Sequence, residues 1–511
     1  MSVPSVLALL LVALPTLGCL ALVASPGERG DAIAQRLGVA VTGAVLACAG
    51  ALAAGFDYGD GLKGGLQAQT DLAWAPALGL RFHLGLDGIS LPLVVMTALL
   101  AFLCLLYSTR IMPDEGRPRA FVALLLLLEV GMIGTFLALD LLLFFVFFEV
   151  VLIPMYFLIA RWGLEGRGPA AYKFILYTLL GSAVMLLGFL LVYAEAGTFD
   201  IPALAALGER GGAGLGRAVQ VAAFLAIGLG LAVKTPMWPF HTWLPDAHTA
   251  APTVGSVLLA GVLLKMGTYG FVRIAVPVLP EGALVLAPYL AAFGVIGIVY
   301  GALACLAQRD LKRLIAYSSI GHMGFVLLGV ATLTPTGING ALFANVAHGL
   351  VTGLLFFLAG AIKDRYGTSE FDALGGGLYA RTPRLGGLVA FGAVASLGLP
   401  GLAGFWGELL VLLGTFDPAA GLDRGLYLAF LAFAGFGTVL TAAYFLVVVR
   451  RVCMGTGPVG GVPGPAPVQD VTRVEVAAWG PLVALIVLAG LWPVTLLGVT
   501  EPVVRALMGG G

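Results

Sequence analysis

Stretches of about twenty mainly apolar residues follow one another along almost the whole chain, and that recurrence leaves few architectures open. A hydrocarbon core about 30 Å thick takes roughly 20 helical residues to cross, at about 1.5 Å each. Such stretches lie at 3–24, 33–54, 89–109, 120–139, 141–160, 171–193, 218–244, 254–275, 284–306, 313–333, 337–362, 383–416, 426–449 and 476–499. They predict an all-α polytopic membrane protein of fourteen spans, with no segment left over for a sizeable soluble domain. Composition agrees: 60% of the 511 residues are hydrophobic and 11% charged, far from the balance of soluble domains.

The first stretch resembles an export signal, and Leu17-Gly18-Cys19 a lipoprotein processing site, but it lacks a basic n-region and is read as an uncleaved helix. The five cysteines (Cys19, Cys48, Cys104, Cys305, Cys453) show no CxxC spacing, so neither an iron–sulfur cluster nor a zinc site is expected. With zero formal net charge and no basic run, nucleic acid is not an expected partner. The lipid bilayer and partner subunits are. Arginine exceeds lysine outside the membrane, and alanine and glycine are abundant, as in a bacterial rather than an organelle-encoded chain.

Loops after odd-numbered spans hold eighteen of the 27 lysines and arginines, among them Arg110, Arg167, Arg309, Lys312 and Lys363. Loops after even-numbered spans hold seven: Lys63, Arg81, Arg210, Arg217, Arg273, Arg424 and Arg505. The positive-inside rule then puts both termini on the outer side of a bacterial inner membrane. Pro236 and Pro239 interrupt span 7, and Leu399-Pro400-Gly401-Leu402-Ala403-Gly404 interrupts span 12. Two breaks five helices apart suggest two inverted five-helix repeats, 120–275 and 284–449, preceded by helices 1–3 (3–109) and followed by helix 14 (476–499).

Five charged residues fall inside these spans: Glu129, Glu149, Lys234, Lys265 and Glu408. Each costs about 2.5–3.5 kcal/mol on insertion scales, so partners or a task must retain them. Glu149, Lys265, His322 and His348 fall near the middle of their spans, while Lys234 and Glu408 flank the two breaks. Together they form a belt parallel to the membrane. Burial favours the neutral form of such groups and pairing restores the charged form, so a belt of this kind can hold and release protons. A static Glu149–Lys234 ion pair is the alternative. For Glu129, a helper carboxylate and a simple pore-lining residue both fit. Thr235, Ser256, Thr268, Tyr317, Ser318 and Ser319 either line a path or merely pack helices. His241 and His248 match no HExxH or Cys/His metal pattern, so no metal site is expected; a structural or proton-uptake role suits them better.

The run from Lys234 to His248 (KTPMWPFHTWLPDAH), with Ala251-Pro252-Thr253 and Leu263 to Gly270 (LLKMGTYG), closely resembles the antiporter-like membrane subunits of the proton-pumping NADH:quinone oxidoreductase, respiratory complex I. So do Phe148-Glu149, the run from Arg309 to His322, and Gly404-Phe405-Trp406-Gly407-Glu408. Of the three paralogous subunit types, the resemblance implies the M type, which has glutamate at the second break where the others have lysine. It implies that Glu149 modulates Lys234, that Lys265 and the midplane histidines His322 and His348 carry the proton onward, and that Glu408 ends the relay. It further implies that NADH, FMN, iron–sulfur clusters and quinone are handled by partner subunits, none being bound by this chain. Other readings are a subunit of a multi-chain cation/proton antiporter, a membrane arm of a hydrogenase-type complex, or a structural spacer.

Overall fold

The computed structural model describes residues 2–25, 27–59, 65–113, 116–209, 215–455 and 468–508. Lys63 and Arg210, placed above in outer loops, lie outside these segments. Among the described residues thirteen helices are long and apolar enough to cross a membrane. The remaining expected span, the twelfth, is split into Pro383–Ser396 and Ala403–Phe416, each too short to qualify alone. Spans 1–6 are Val3–Val23, Glu28–Ala54, Ser90–Ser108, Pro118–Leu137, Leu141–Trp162 and Arg167–Ala196. Span 7 is Arg217–Lys234 with a second piece at Trp243–Ala250. Spans 8–11 are Thr253–Val278, Pro280–Leu306, Leu311–Ala331 and Pro335–Tyr366, and spans 13 and 14 are Arg424–Cys453 and Arg473–Leu491.

Side-chain caps mark several helix starts. The Asp140 carboxylate accepts from the Leu142 and Leu143 amides to open span 5, and Asp310 accepts from the Arg313 amide to open span 10. Thr472 and Glu475 form a capping box at the start of span 14. Span 8 is wholly buried among spans 3, 4, 7, 10 and 11. Spans 1, 2, 13 and 14 instead turn large apolar side chains such as Leu17, Phe433 and Leu488 outward. Lys265, His322 and His348 therefore lie in well-buried helices, whereas Glu149, Lys234 and Glu408 lie in helices that also turn apolar side chains such as Ile153, Leu225 and Leu413 outward. Gly267 permits that arrangement, because a Cβ there would fall 2.3 Å from Thr235 Oγ1 and 2.6 Å from the Leu231 carbonyl. The backbone of span 8 thus lies directly against the break in span 7.

Three features differ from the sequence expectation. The segment between spans 2 and 3 is an antiparallel hairpin, β1 (Gln67–Ala75) and β2 (Leu80–Leu86), so the chain is not purely helical. Its alternating pattern is too short for a membrane-length scan to register. Span 14 ends at Leu491, because Pro493 cannot continue the helix; residues 494–499 open a separate helix, Val494–Leu507. Arg273 is not in a loop but inside span 8, where its Nη2 donates to Asp87 Oδ1 (2.5 Å) and its Nε to Tyr269 OH (3.2 Å). Tyr269 in turn donates to the Phe136 carbonyl (3.0 Å).

One local pairing occurs twice. Asp140 bridges Asp200 in an isolated antiparallel step, and 170 residues on for both members Asp310 bridges Glu370 in the same way. In each, the residue after the aspartate donates its amide across the bridge: Leu141 to the Phe199 carbonyl and Leu311 to that of Ser369, both at 2.9 Å. By the loop assignment above, the first lies on the outer side and the second on the inner.

The Asp87–Arg273 pair gives a stability test. Burial works to raise the Asp87 carboxyl, but the Arg273 guanidinium and the Ser90 and Ile89 amides hold it below the ordinary carboxylate range. A carboxylate held low adds stability that is present above its unfolded value, near 4, and lost only as pH falls through its lowered folded value. Asp87→Ala leaves Arg273 buried without its partner, a loss of about 3–5 kcal/mol. Thermal unfolding of the detergent-extracted protein between pH 7 and pH 5 should show the variant uniformly less stable and the wild type flat. A variant that melts with the wild type would remove the pair from the fold's support.

Candidate functional site

Span 7 stops at Lys234 because Pro236 and Pro239 supply no amide protons, and turns carry the chain to Trp243. The carbonyls freed by the break are taken up locally. Trp243 Nε1 donates to the Val233 carbonyl (3.0 Å), the Met237 amide to that of Ala232 (2.9 Å), and Thr235 Oγ1 to that of Leu231 (2.7 Å). Lys234 is 1% exposed; its Nζ lies 4.8 Å from the centre of the Phe148 ring and makes no hydrogen bond. Glu149, next to Phe148 in the chain, is half-buried, and its Oε1 likewise has no partner. The static ion pair weighed from the sequence is therefore not closed here.

Span 8 reaches the belt through an unusual backbone. Two π-helical turns, Leu259–Leu263 and Phe271–Ala275, flank the α-helical turns Leu264–Gly270 that carry Lys265. Such turns loosen the hydrogen-bond ladder and cluster at functional positions. Here Lys265 Nζ donates to the carbonyl of Ala260, inside the first π turn, and lies 2.6 Å from His348 Nδ1. The His348 and His322 rings meet edge to face with centroids 5.5 Å apart. His322 Nδ1 lies 3.6 Å from Glu408 Oε1, and its Nε2 is 3.0 Å from Ser396 Oγ. A cavity of about 20 Å³ touches His322, His348, Thr352, Ser396 and Glu408, space for a bridging water.

At the second break Gly398 has φ +78°, a conformation that side chains resist, and a Cβ on it would lie 3.0 Å from Glu408 Oε2. Trp406 Nε1 anchors the break by donating to the Gly490 carbonyl of span 14 (2.7 Å).

Lys265, His348, His322 and Glu408 thus form one connected row, with Lys234 and Glu149 beside it; Lys234 Nζ makes no hydrogen bond, and the Glu149 carboxylate pairs with Ser182 rather than with Lys234. Glu129 stands apart: it is fully buried and neither carboxylate oxygen has a partner. His241 packs on the Tyr300 ring at 4.8 Å and its Nδ1 is unpartnered. Four of the six hydroxyl candidates bond their own helix backbone: Thr235 to Leu231, Thr268 to Lys265, and both Ser318 and Ser319 to Ile315. Thr268 alone of these four also reaches Asn345 Oδ1, at 2.9 Å. Sequence reasoning missed Asn345, Thr352 and Ser396. The first two sit three before and four after His348 in an apolar helix, and that polar spacing is a signal that could have found them.

The family described as NADH:quinone oxidoreductase/Mrp antiporter, TM, matches residues 138–441. The NADH-quinone oxidoreductase subunit M of Rhodobacter capsulatus is 42% identical over 464 residues, covering 89% of this chain and 87% of the relative. A chain of respiratory complex I from Thermus thermophilus with bound NADH aligns at TM-score 0.85 and 31% identity, over 99% of this chain and all of that one. A chain of the Mrp complex from Dietzia aligns at TM-score 0.84 and 24% identity, over 99% of this chain and 98% of that one, and so shares the fold.

Gly398→Ala should push Glu408 away from His322 and lower proton translocation in membrane vesicles severalfold, in line with a misplaced proton-transfer group. Gly387→Ala, where a Cβ meets nothing within 4 Å, is the matched control. Equal translocation by both variants would show that the Glu408 position is not set by the break.

Proposed function

The chain belongs to the NADH:quinone oxidoreductase/Mrp antiporter family of membrane subunits, and from that premise we propose that it moves protons across the bilayer through Glu149, Lys234, Lys265, His348, His322 and Glu408. It is an antiporter-like, multi-pass membrane subunit of an NADH:quinone oxidoreductase, and its partners are other membrane subunits of that enzyme. The observation that carries the proton reading is the connected row from Lys265 to Glu408, whose side chains are largely buried inside the protein. Each member gains or loses a proton at modest cost once its neighbour's charge changes, so a change at one end is felt at the other. Glu149 and Lys234 are the switchable end, near each other yet unbonded. Glu408 is the far end.

Redox chemistry is assigned to partner subunits, where NADH, FMN, iron–sulfur clusters and quinone are handled; this chain binds none of them. The membrane is the bacterial inner membrane, with both termini on its outer side, as the lysine and arginine distribution supports. The twice-occurring aspartate bridge supports two inverted repeats, 120–275 and 284–449. A five-helix unit repeated upside down brings the same bridge to opposite faces, and it places the breaks of spans 7 and 12 at corresponding positions.

Glu149→Gln keeps the shape and removes the charge. Assembled complex should persist while NADH-driven proton pumping collapses, and normal pumping would exclude Glu149 from the relay. Lys234→Ala should also abolish pumping. At Glu408, lysine should retain more pumping than glutamine or alanine, since any titratable group can partly serve there. The measurement is quinone-dependent NADH oxidation with proton uptake in vesicles at equal complex content. If Glu408→Lys, Glu408→Gln and Glu408→Ala all pump like the wild type, the relay does not end at this residue.

A further inference from the structure

A crevice of about 1000 Å³ opens between spans 3, 5, 8 and 11 on the side rich in lysine and arginine. Lys312, Lys363, Asp364 and Arg167 line it together with Thr253, Val254 and Gly360. Lys312 was placed in a loop from the sequence, yet it is 3% exposed, and its Nζ donates to the Ala251 carbonyl (2.6 Å) and lies 3.5 Å from that of Thr249. The floor of the crevice is therefore tied to the backbone that immediately follows His248.

His248 is fully buried, and neither of its ring nitrogens has a hydrogen-bond partner. An imidazole sealed in apolar surroundings without partners loses the hydrogen bonds both nitrogens would make in water, so packing alone is a poor reason for histidine here. Its position is fixed on two sides. The ring stacks on Phe356 with centroids 4.4 Å apart and an interplanar angle of 11°, and its carbonyl accepts from Ser256 Oγ at 3.1 Å.

Span 11 supplies the ruler. His348, Thr352, Phe356, Gly360 and Asp364 recur at every fourth residue, a row in which each member neighbours the next, climbing about 6 Å and winding about 40° round the helix per step. At one end His348 and Thr352 line the small cavity shared with Glu408. At the other, Gly360 and Asp364 line the crevice. Phe356, midway, is the residue His248 stacks on. Along this row Thr352 Oγ1 and His348 Nε2 are also buried without partners. A file of unpartnered polar atoms thus leads from the crevice floor into the row.

We propose that protons are taken up through this crevice and pass by His248 and Thr352 to His348, so that the relay is fed at its centre. The proposal rests on the proton-relay reading above and on the lysine- and arginine-rich side being the inner one. The transfer balances without any other reactant. His248 accepts a proton from crevice water and releases one from its other nitrogen. His348 takes a proton at Nε2, bridged by the Thr352 hydroxyl and water, while giving its Nδ1 proton to neutral Lys265 Nζ 2.6 Å away. The histidine ends neutral and the lysine charged. The charged and titratable groups around the route are Arg167, Lys312, Lys363 and Asp364 on the crevice side and Lys265 and His322 on the relay side.

The test uses the intact complex in vesicles with Thr352→Val, which keeps the shape and removes the hydroxyl, and with His248→Gln and His248→Ala. At wild-type assembly, NADH-driven proton translocation by His248→Gln and His248→Ala should fall to about a tenth or less, as for removal of a positioned proton carrier. Thr352→Val should fall severalfold. Imidazole added on the crevice side should restore a measurable part of the His248→Ala loss. Loss without imidazole rescue would make His248 a packing residue and overturn the proposal. So would wild-type pumping by Thr352→Val and His248→Gln while Glu408→Gln is impaired, an outcome that leaves the relay itself standing. If Glu408→Gln also pumps normally, the relay reading fails and the uptake route with it.

Discussion

An ammonium in the middle of a bilayer must find hydrogen bonds inside the protein, and the way Lys265 does so shapes the molecule around it. Its Nζ uses the Ala260 carbonyl and the His348 ring. The carbonyl comes within reach because the helix is π-wound from Leu259 to Leu263. The histidine does because span 11 lies alongside, with Gly349 close enough that a Cβ there would fall 2.9 Å from the Gly261 carbonyl. A π turn inserts an extra residue and shifts everything after it around the helix. Without that shift Lys265 would face another neighbour. The central position of span 8, its full burial and the small residues around it all serve one polar contact that hydrocarbon would otherwise make prohibitively costly.

The two broken helices answer the same constraint with opposite charges. Lys234 closes the C-terminus of Arg217–Lys234, where the helix dipole presents its negative end. Glu408 lies in the second turn of Ala403–Phe416, nearer that helix's positive end, where the effect is already weaker. A break thus supplies a polar terminus at mid-depth, and the sign of the neighbouring side chain follows from which terminus it adjoins. Lysine and glutamate at related breaks are in this sense equivalent solutions. Asp140 and Asp310, capping spans 5 and 10 beside matching bridges, repeat the theme at the membrane surfaces.

Much of this was legible in the sequence because hydrocarbon tolerates so little. Glu149, Lys234, Lys265 and Glu408 stand out against apolar surroundings, and Pro236, Pro239 and Pro400 mark the breaks. What touches what was not legible. The contacts of His322 with Glu408 and of His348 with Lys265 depend on how each helix is rotated, and the π turn that sets the face of Lys265 leaves no mark in the residues. Arg273 was misplaced for a related reason: lying near the end of the predicted span 254–275, it was counted with the following loop, whereas the helix runs on to Val278 and pairs that charge with Asp87. The β1–β2 hairpin was overlooked because a length criterion set for helices passes over nine- and seven-residue strands.

The Asp87–Arg273 pair also shows what a structural buried charge looks like in this molecule, and the comparison bears on the belt. Asp87 Oδ1 accepts from Arg273, from the Ile89 and Ser90 amides and from Ser90 Oγ, while Arg273 also reaches Tyr269. Such a closed network gains nothing by changing its protonation. Lys234 Nζ, Glu149 Oε1 and His348 Nε2 are also buried atoms, yet each lacks a partner. Burial without satisfaction is costly, by several kcal/mol for a charged group, and evolution has cheaper ways to fasten helices, as the Trp243 and Trp406 indole bonds show. Groups kept in that condition are poised between charge states, because a proton gained, lost or passed on is the readiest way to relieve the cost. The difference between the two sets of charges, one closed and the other left open, is what distinguishes a fastening from the relay proposed here.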